Sequence, residues 1–89
     1  MKIKLELFGA SRDFSDEDHL YIKIQNKSSV DDLRNEIIKY LNKNFKGNEN
    51  FIKVVKSSAF CSENNEIISD NYKITKDQKI GIIPPIGGG

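Results

Sequence analysis

Apolar and polar positions change period along the chain, and each change marks an element. Ile3, Leu5 and Leu7 alternate with Lys2, Lys4 and Glu6, the period of two expected of a strand with one buried face. Phe8 then falls on the face opposite Leu7, and Gly9 ends the run. The polar stretch from Ala10 to His19 reads as a loop with room for one helical turn. Leu20, Ile22 and Ile24, interleaved with Tyr21, Lys23 and Gln25, predict a second strand, antiparallel to the first across a long connection. After Ser28 the period lengthens. Val30, Leu33, Ile37 and Leu41 share one helical face, with Arg34, Glu36 and Lys39 on others,. A serine N-cap at Ser28 or Ser29 and the early acids Asp31 and Asp32 suit the positive end of a helix over about 30–43.

Asn42 to Asn50, with Gly47 among them, breaks that pattern. Phe51, Val54 and Val55 then suit a helical turn, whereas the β-branched content of 51–56 suits a strand, and the period leaves both open. Ala59-Phe60-Cys61 predicts a short strand, Ser62 to Asn65 a turn, and Glu66-Ile67-Ile68 its return,. Asp70 to Gln78 reads as a polar loop carrying Tyr72 and Ile74, and Lys79 to Ile83 as a final strand stopped by Pro84 and Pro85. The order is strand, strand, helix, two short strands and a last strand. That is the order of an α+β fold of the β-grasp (ubiquitin-like) type, a mixed sheet with one main helix on one face. In that arrangement the last strand lies centrally, parallel to the first.

Length and composition narrow the class further. Eighty-nine residues make one domain,, in which roughly 60–65% of the extended chain's surface is buried. Fourteen Lys and Arg against thirteen Asp and Glu leave a net charge of +1, without the basic excess of a dedicated nucleic-acid binder. No apolar run approaches the ~20 residues of a membrane span. The charged alternation from Met1 to Leu7 contains no signal-peptide core. A cytoplasmic protein that binds neither nucleic acid nor membrane is the expectation. One cysteine, Cys61, excludes an internal disulfide and four-cysteine metal sites,. A small buried hydrophobe is its simpler role. His19 stands without a second ligand at metal-binding spacing, so no metal is expected. No nucleophile–base–orienter set is visible, which argues against an enzyme acting alone.

The chemistry concentrates at the end of the sequence, Ile82-Ile83-Pro84-Pro85-Ile86-Gly87-Gly88-Gly89. Pro84 and Pro85 lack amide hydrogens and stiffen the exit from the last strand. From Pro85 to Gly89 an extended chain reaches roughly 17 Å. Glycine, lacking Cβ, makes a backbone slim enough to thread a channel in another protein. The organisation expected is a domain over 1–86 and a flexible, extended Gly tail over 87–89. Phe8 and Ile83, facing away from the helix on adjacent strands, with Ile67 or alternatively Ile68, form a candidate exposed apolar patch. A minor core beneath a loop is the other reading of the same residues.

This C-terminal run resembles that of the small subunit of molybdopterin synthase, the MoaD-like sulfur carriers of the MoaD/ThiS family. Leu7-Phe8-Gly9-Ala10-Ser11-Arg12-Asp13 resembles the family's start more loosely. The sequence departs from the family at Asp77-Gln78, where a Gly-Asp turn is frequent, in the hairpin Ser62 to Glu66, and in the length of 44–56. The resemblance implies a carrier whose Gly89 is adenylated with Mg-ATP by an adenylyltransferase related to ubiquitin-activating enzymes. A sulfur donor protein then leaves a thiocarboxylate on Gly89. Nothing is bound permanently: ATP-derived adenylate and sulfur are carried transiently. Pro84, Pro85, Ile86, Gly87 and Gly88 would enter the large subunit of the synthase, delivering sulfur for the dithiolene of molybdopterin. The resemblance further implies Phe8, Ile67 and Ile83 as large-subunit contacts. Arg12 is a candidate for pairing with the partner or steering the tail, beside its reading as a solvated arginine. Other terminal-glycine carriers (thiazole-forming, tRNA-thiolating or protein-modifying) and an interaction module without tail chemistry are the alternatives.

Overall fold

A computed structural model describes residues 1–85. Five strands form the main sheet: β1 (Lys2–Leu7), β2 (His19–Lys23), β4 (Ala59–Cys61), β5 (Ile67–Ile68) and β7 (Gln78–Ile83), in the order β2-β1-β7-β4-β5. A second, two-stranded ladder joins β3 (Ser28–Ser29) to β6 (Lys73–Ile74). Helices α1 (Val30–Asn44) and α2 (Glu49–Ser57) follow one another between β3 and β4. β1 pairs antiparallel with β2, Ile3 opposite Ile22 and Leu5 opposite Leu20. It pairs parallel with β7, Leu5 opposite Ile80 and Leu7 opposite Ile82. This is the β-grasp arrangement expected from the order of elements.

The alternation in the strands sets the layers. Ile3, Leu5, Leu7, Ile80, Ile82 and Phe60 turn to one side of the sheet and meet Val30, Leu33, Ile37 and Leu41 of α1, all buried. The start of α1 is closed by a reciprocal cap. The Asp32 backbone N–H donates to Ser29 Oγ (3.1 Å), and the Ser29 N–H donates to Asp32 Oδ2 (2.9 Å),. That backbone donor, with the Ser29 hydroxyl second, holds the Asp32 carboxyl below the usual carboxylate range,. The N–H groups of Val30 and Asp31 donate to the carbonyls of Tyr72 and Asp70, so the first turn has its donors met within the fold.

Two segments differ from or complete the sequence reading. Residues 51–56, which the pattern left open, are helical within α2. Asn48 caps that helix by accepting from the N–H groups of Asn50 and Phe51. The helix is held by aromatic rings: Phe51 lies 5.1 Å from Phe14 and 5.1 Å from Phe45, and Phe45 lies 6.3 Å from Tyr40,. The segment 70–78, read as a polar loop, contains β6. A two-residue strand is too short to show a period, and Ile74 is buried by packing on the core rather than by a pattern along the chain. The 10–19 connection contains the helical turn foreseen, a 3-10 turn over Gly9–Phe14.

Arg34 joins these parts. Its Nη1 donates to the carbonyls of Val55 (2.6 Å) and Ser58 (2.9 Å) at the end of α2, and its Nη2 to Asp70 Oδ1 (2.6 Å). The guanidinium lies 4.9 Å from the centre of the Phe60 ring,. Replacing Arg34 by Met strands these carbonyls and is expected to lower stability by about 2 kcal/mol, or roughly 10 °C in melting temperature. Arg34→Lys recovers only part, because one ammonium cannot span a fork of acceptors. Thermal melts of the two variants check this, and an unchanged midpoint for Arg34→Met removes the role.

Candidate functional site

The face of the sheet turned away from α1 is built by the other half of each alternation. Register places Glu6, Gly81, Cys61 and Ile67 side by side across β1, β7, β4 and β5. Ile83 and Ala59 form the next row, and Phe8 continues β1 beside them. Phe8 is 45% exposed and Ile67 67% exposed, while Ile83 is half-buried. Of the two alternatives for β5, Ile67 faces outward and Ile68 packs against the core. The apolar half of the face therefore carries Phe8, Gly81, Cys61, Ile83, Ala59 and Ile67. Lys2, Lys4, Tyr21 and Lys23 occupy the other half, over β1 and β2.

Phe8 is held where it is. Its N–H donates to Ser11 Oγ (2.9 Å), whose hydroxyl donates back to the Phe8 carbonyl (2.6 Å), and Ser11 is fully buried. Sequence reasoning missed Ser11, although a serine three residues after Phe8, the residue that follows the strand, is a recognisable turn signal,. The Phe8 ring covers Gly81. A Cβ there would stand 3.0 Å from the ring and 2.7 Å from Cys61 Sγ. Cys61 is itself buried, as its simpler reading has it.

At the border of the apolar half, Lys79 Nζ donates to Glu6 Oε1 (2.8 Å), and this hydrogen bond raises the lysine's pKa above its ordinary value,. The Lys79 N–H donates to Glu63 Oε1 (2.9 Å). On β2, His19 Nδ1 lies 2.8 Å from Asp18 Oδ1, and that bond lowers the Asp18 pKa. Among the described residues no group of three or more His, Cys, Asp or Glu side chains is placed to hold a metal. No helix among them is long and apolar enough to cross a membrane.

β7 delivers the chain to the edge of the apolar half. Pro84 is buried, with its ring carbons 3.9 Å from a Cβ built on Gly9. Gly9 has φ +54°, the left-handed region that favours glycine,. Pro84 and the exposed Pro85 line a groove of about 230 Å³ with Ala10, Lys53, Val54 and Ser57. Arg12 is exposed on the neighbouring 3-10 turn, and among the described residues it forms no ion pair within 4.0 Å. The structure thus brings Phe8, Ile83 and Ile67 onto one face and places the diproline at its rim. Ile86, Gly87, Gly88 and Gly89, and with them the expected boundary between domain and tail, lie outside the described residues.

A β-grasp domain with an outward apolar patch beside the exit of its last strand defines the class. The chain belongs to the ThiS family, whose sequence profile matches residues 5–89. Among solved structures it is similar to SAMP1 from Haloferax volcanii, at 13% identity over the whole of both chains with a TM-score of 0.68. It is also similar to a protein of Pyrococcus furiosus provisionally described as molybdopterin converting factor, subunit 1. That likeness is 23% identical over 96% of this chain and 98% of the other, with a TM-score of 0.69. At such identities these structures establish the fold. No curated protein matches the sequence.

The crowding at Gly81 yields a test of the face itself. Gly81→Ala is expected to lose about 1–3 kcal/mol through the forced shift of Cys61 Sγ and the Phe8 ring. Adding Cys61→Ala removes the nearer obstacle and should return part of that loss. Urea melts of the single and double variants measure the coupling, and strictly additive effects would contradict the contact.

Proposed function

We propose that the protein is a sulfur carrier that serves a molybdopterin synthase, with Gly89 as the loaded residue. The observation that carries the proposal is the ThiS-family match, which runs through the diproline to Gly89. The Pyrococcus furiosus structure lends it direction toward the molybdopterin pathway. In the proposed cycle the Gly89 carboxylate attacks the α-phosphorus of ATP on an adenylyltransferase and pyrophosphate leaves. A hydrosulfide equivalent from a sulfur donor protein then attacks the acyl carbon and AMP leaves, giving the thiocarboxylate. Activation is needed because a carboxylate is a poor electrophile at neutral pH. On the large subunit the sulfur passes to the pterin precursor, and water restores the carboxylate. Most catalytic groups therefore belong to the partners.

The described residues suit such a carrier in two ways. Pro84 packs beside Gly9, so docking the globular body sets the point from which the chain continues beyond Pro85. Phe8, Ile67 and Ile83 offer an apolar area for that docking, with Arg12 beside the exit. Ordering the tail costs roughly 1–2 kcal/mol per residue, which the body's contacts must offset.

Incubation with the adenylyltransferase, ATP and a sulfur donor is expected to raise the intact mass by the difference between sulfur and oxygen. One extra residue placed after Gly89 should abolish that gain without moving the melting temperature. A full sulfur load on the extended protein defeats the proposal. A loaded protein that supplies no sulfur to a pterin precursor turns it toward another carrier pathway.

Phe8→Asp and Ile83→Asp test the docking face separately. Each is expected to weaken large-subunit binding at least about tenfold, ~1.4 kcal/mol. Phe8→Asp should have a small effect on stability, since Phe8 is already half in solvent. Titration calorimetry reads the affinity, and unchanged binding in both variants excludes this face.

A further inference from the structure

The outer edge of β2 carries a second surface, at the opposite side of the sheet from β4 and β5. The ladder shows which way its backbone points. Met1 and Ile24 exchange backbone hydrogen bonds (2.6 and 2.9 Å), and the Leu7 N–H donates to the Asp18 carbonyl (2.9 Å). In an antiparallel ladder the residues that face the partner strand recur every second position. Leu20 and Ile22 therefore face β1 as well, and the N–H and C=O groups of His19, Tyr21 and Lys23 point away from it. β2 ends the sheet order, so no strand among the described residues takes up these groups. An open row of this kind is a template for another strand.

Beside that edge, between β2 and α1, runs a groove of about 410 Å³ whose lining includes Ile22, Lys23, Glu36, Lys39, Tyr40 and Lys43. Its one acid, Glu36, is bound to Lys39 at 3.1 Å. Lys2 Nζ lies 4.3 Å from the centre of the Tyr21 ring on the other face of the strand. Lysines thus flank the edge on both faces, in a chain whose net charge is only +1. The lysines of the groove, Lys23, Lys39 and Lys43, favour an acidic strand over a basic one,.

We propose that this edge groove docks an extended acidic segment of a partner protein, which adds a strand to β2. Backbone bonds form to Tyr21 and Lys23. Alternate apolar side chains cover Ile22 and Tyr40, and the intervening acids meet the lysines. The surface is independent of the tail chemistry, and its position at the far edge lets a partner sit here while another holds the apolar half of the outward face.

The probe is a synthetic peptide alternating valine with aspartate and glutamate, added to isotope-labelled protein, with a peptide carrying lysine at every acid as control. Amide exchange at Tyr21 and Lys23 should slow at least about tenfold at saturation, with shifts confined to β2 and the facing side of α1. Lys39→Glu with Lys43→Glu, both on the exposed side of α1, should weaken binding at least about tenfold. Tyr21→Pro should abolish it while remaining folded, because that N–H lies outside the ladder. The proposal is overturned by absence of binding at millimolar peptide, by equal binding of the lysine control, or by shifts centred on Phe8 and Ile83. Protection of Tyr21 in a peptide-free dimer, or tighter binding of an oligonucleotide at these residues, also overturns it.

Discussion

β7 runs parallel to β1, from Gln78 beside Ile3 to Ile82 beside Leu7, and two strands paired in this sense cannot be joined by a hairpin. Everything between Phe8 and Asp77 must therefore cross from one end of the sheet to the other. Both helices and the short strands lie in that crossing. The same pairing brings the end of β7 to the end of β1, so Pro84 arrives beside Gly9 and Ile83 beside Phe8. The apolar half of the outward face and the departure point of the last residues coincide because of strand direction. A sheet with β7 antiparallel to β1 would send Pro84 out at the other end.

What keeps the exit shaped is α2, a helix of only nine residues. Isolated helices of this length are unstable in water, so its order comes from packing. The aromatic series from Phe14 through Phe51 and Phe45 to Tyr40 ties it to the 3-10 turn and the end of α1. Arg34 binds the carbonyls at its far end. Those contacts hold Val54 and Ser57 in the wall of the groove that the diproline also lines. The stability of α2 and the placement of Pro84 and Pro85 are thus one structural question.

The parts of this architecture that repeat were legible in the sequence. Strand β1 and helix α1 each show at least three apolar positions at one period, β2 carries Leu20 and Ile22 with Ile24 continuing the alternation beyond it, and β7 carries Ile80 and Ile82; all of these but Leu20 are buried. The diproline and the apolar residue Phe8 opposite Leu7 were also readable, because both break the local rule. Arg34 was not. It sits on α1 as one of several polar residues, and its acceptors lie 21 to 36 positions away, so no local pattern marks it. Asn48 was a signal overlooked: an asparagine two residues before Asn50 and three before Phe51 caps a helix and would have decided between the two readings of 51–56. Ile74 in β6 lies beyond any period, since its burial is set by where the loop is pinned through Asp70 and Tyr72. Gly81 carries a different lesson. A glycine inside a strand pattern marks a close approach, here that of the Phe8 ring.

Electrostatics divide the outward face in a way that bears on how much of it a partner can cover. The Lys79–Glu6 pair stands at the border, half in solvent, and on the β2 side of it the face is dominated by lysines. Covering that side would remove several charged groups from water, at a cost that attraction between a few rim pairs does not repay. On the other side Phe8, Ile83, Ala59 and Ile67 lose little by being covered, and Cys61 and Gly81 are already buried. An apolar partner is thereby confined to β7, β4 and β5, the strands nearest the exit of the last residues. The charged side is left for contacts that keep its lysines hydrated or pair them with acids. An apolar surface and a lysine-bearing one are separated on one small sheet by the alternation of a few strands and by which half of that alternation carries lysine.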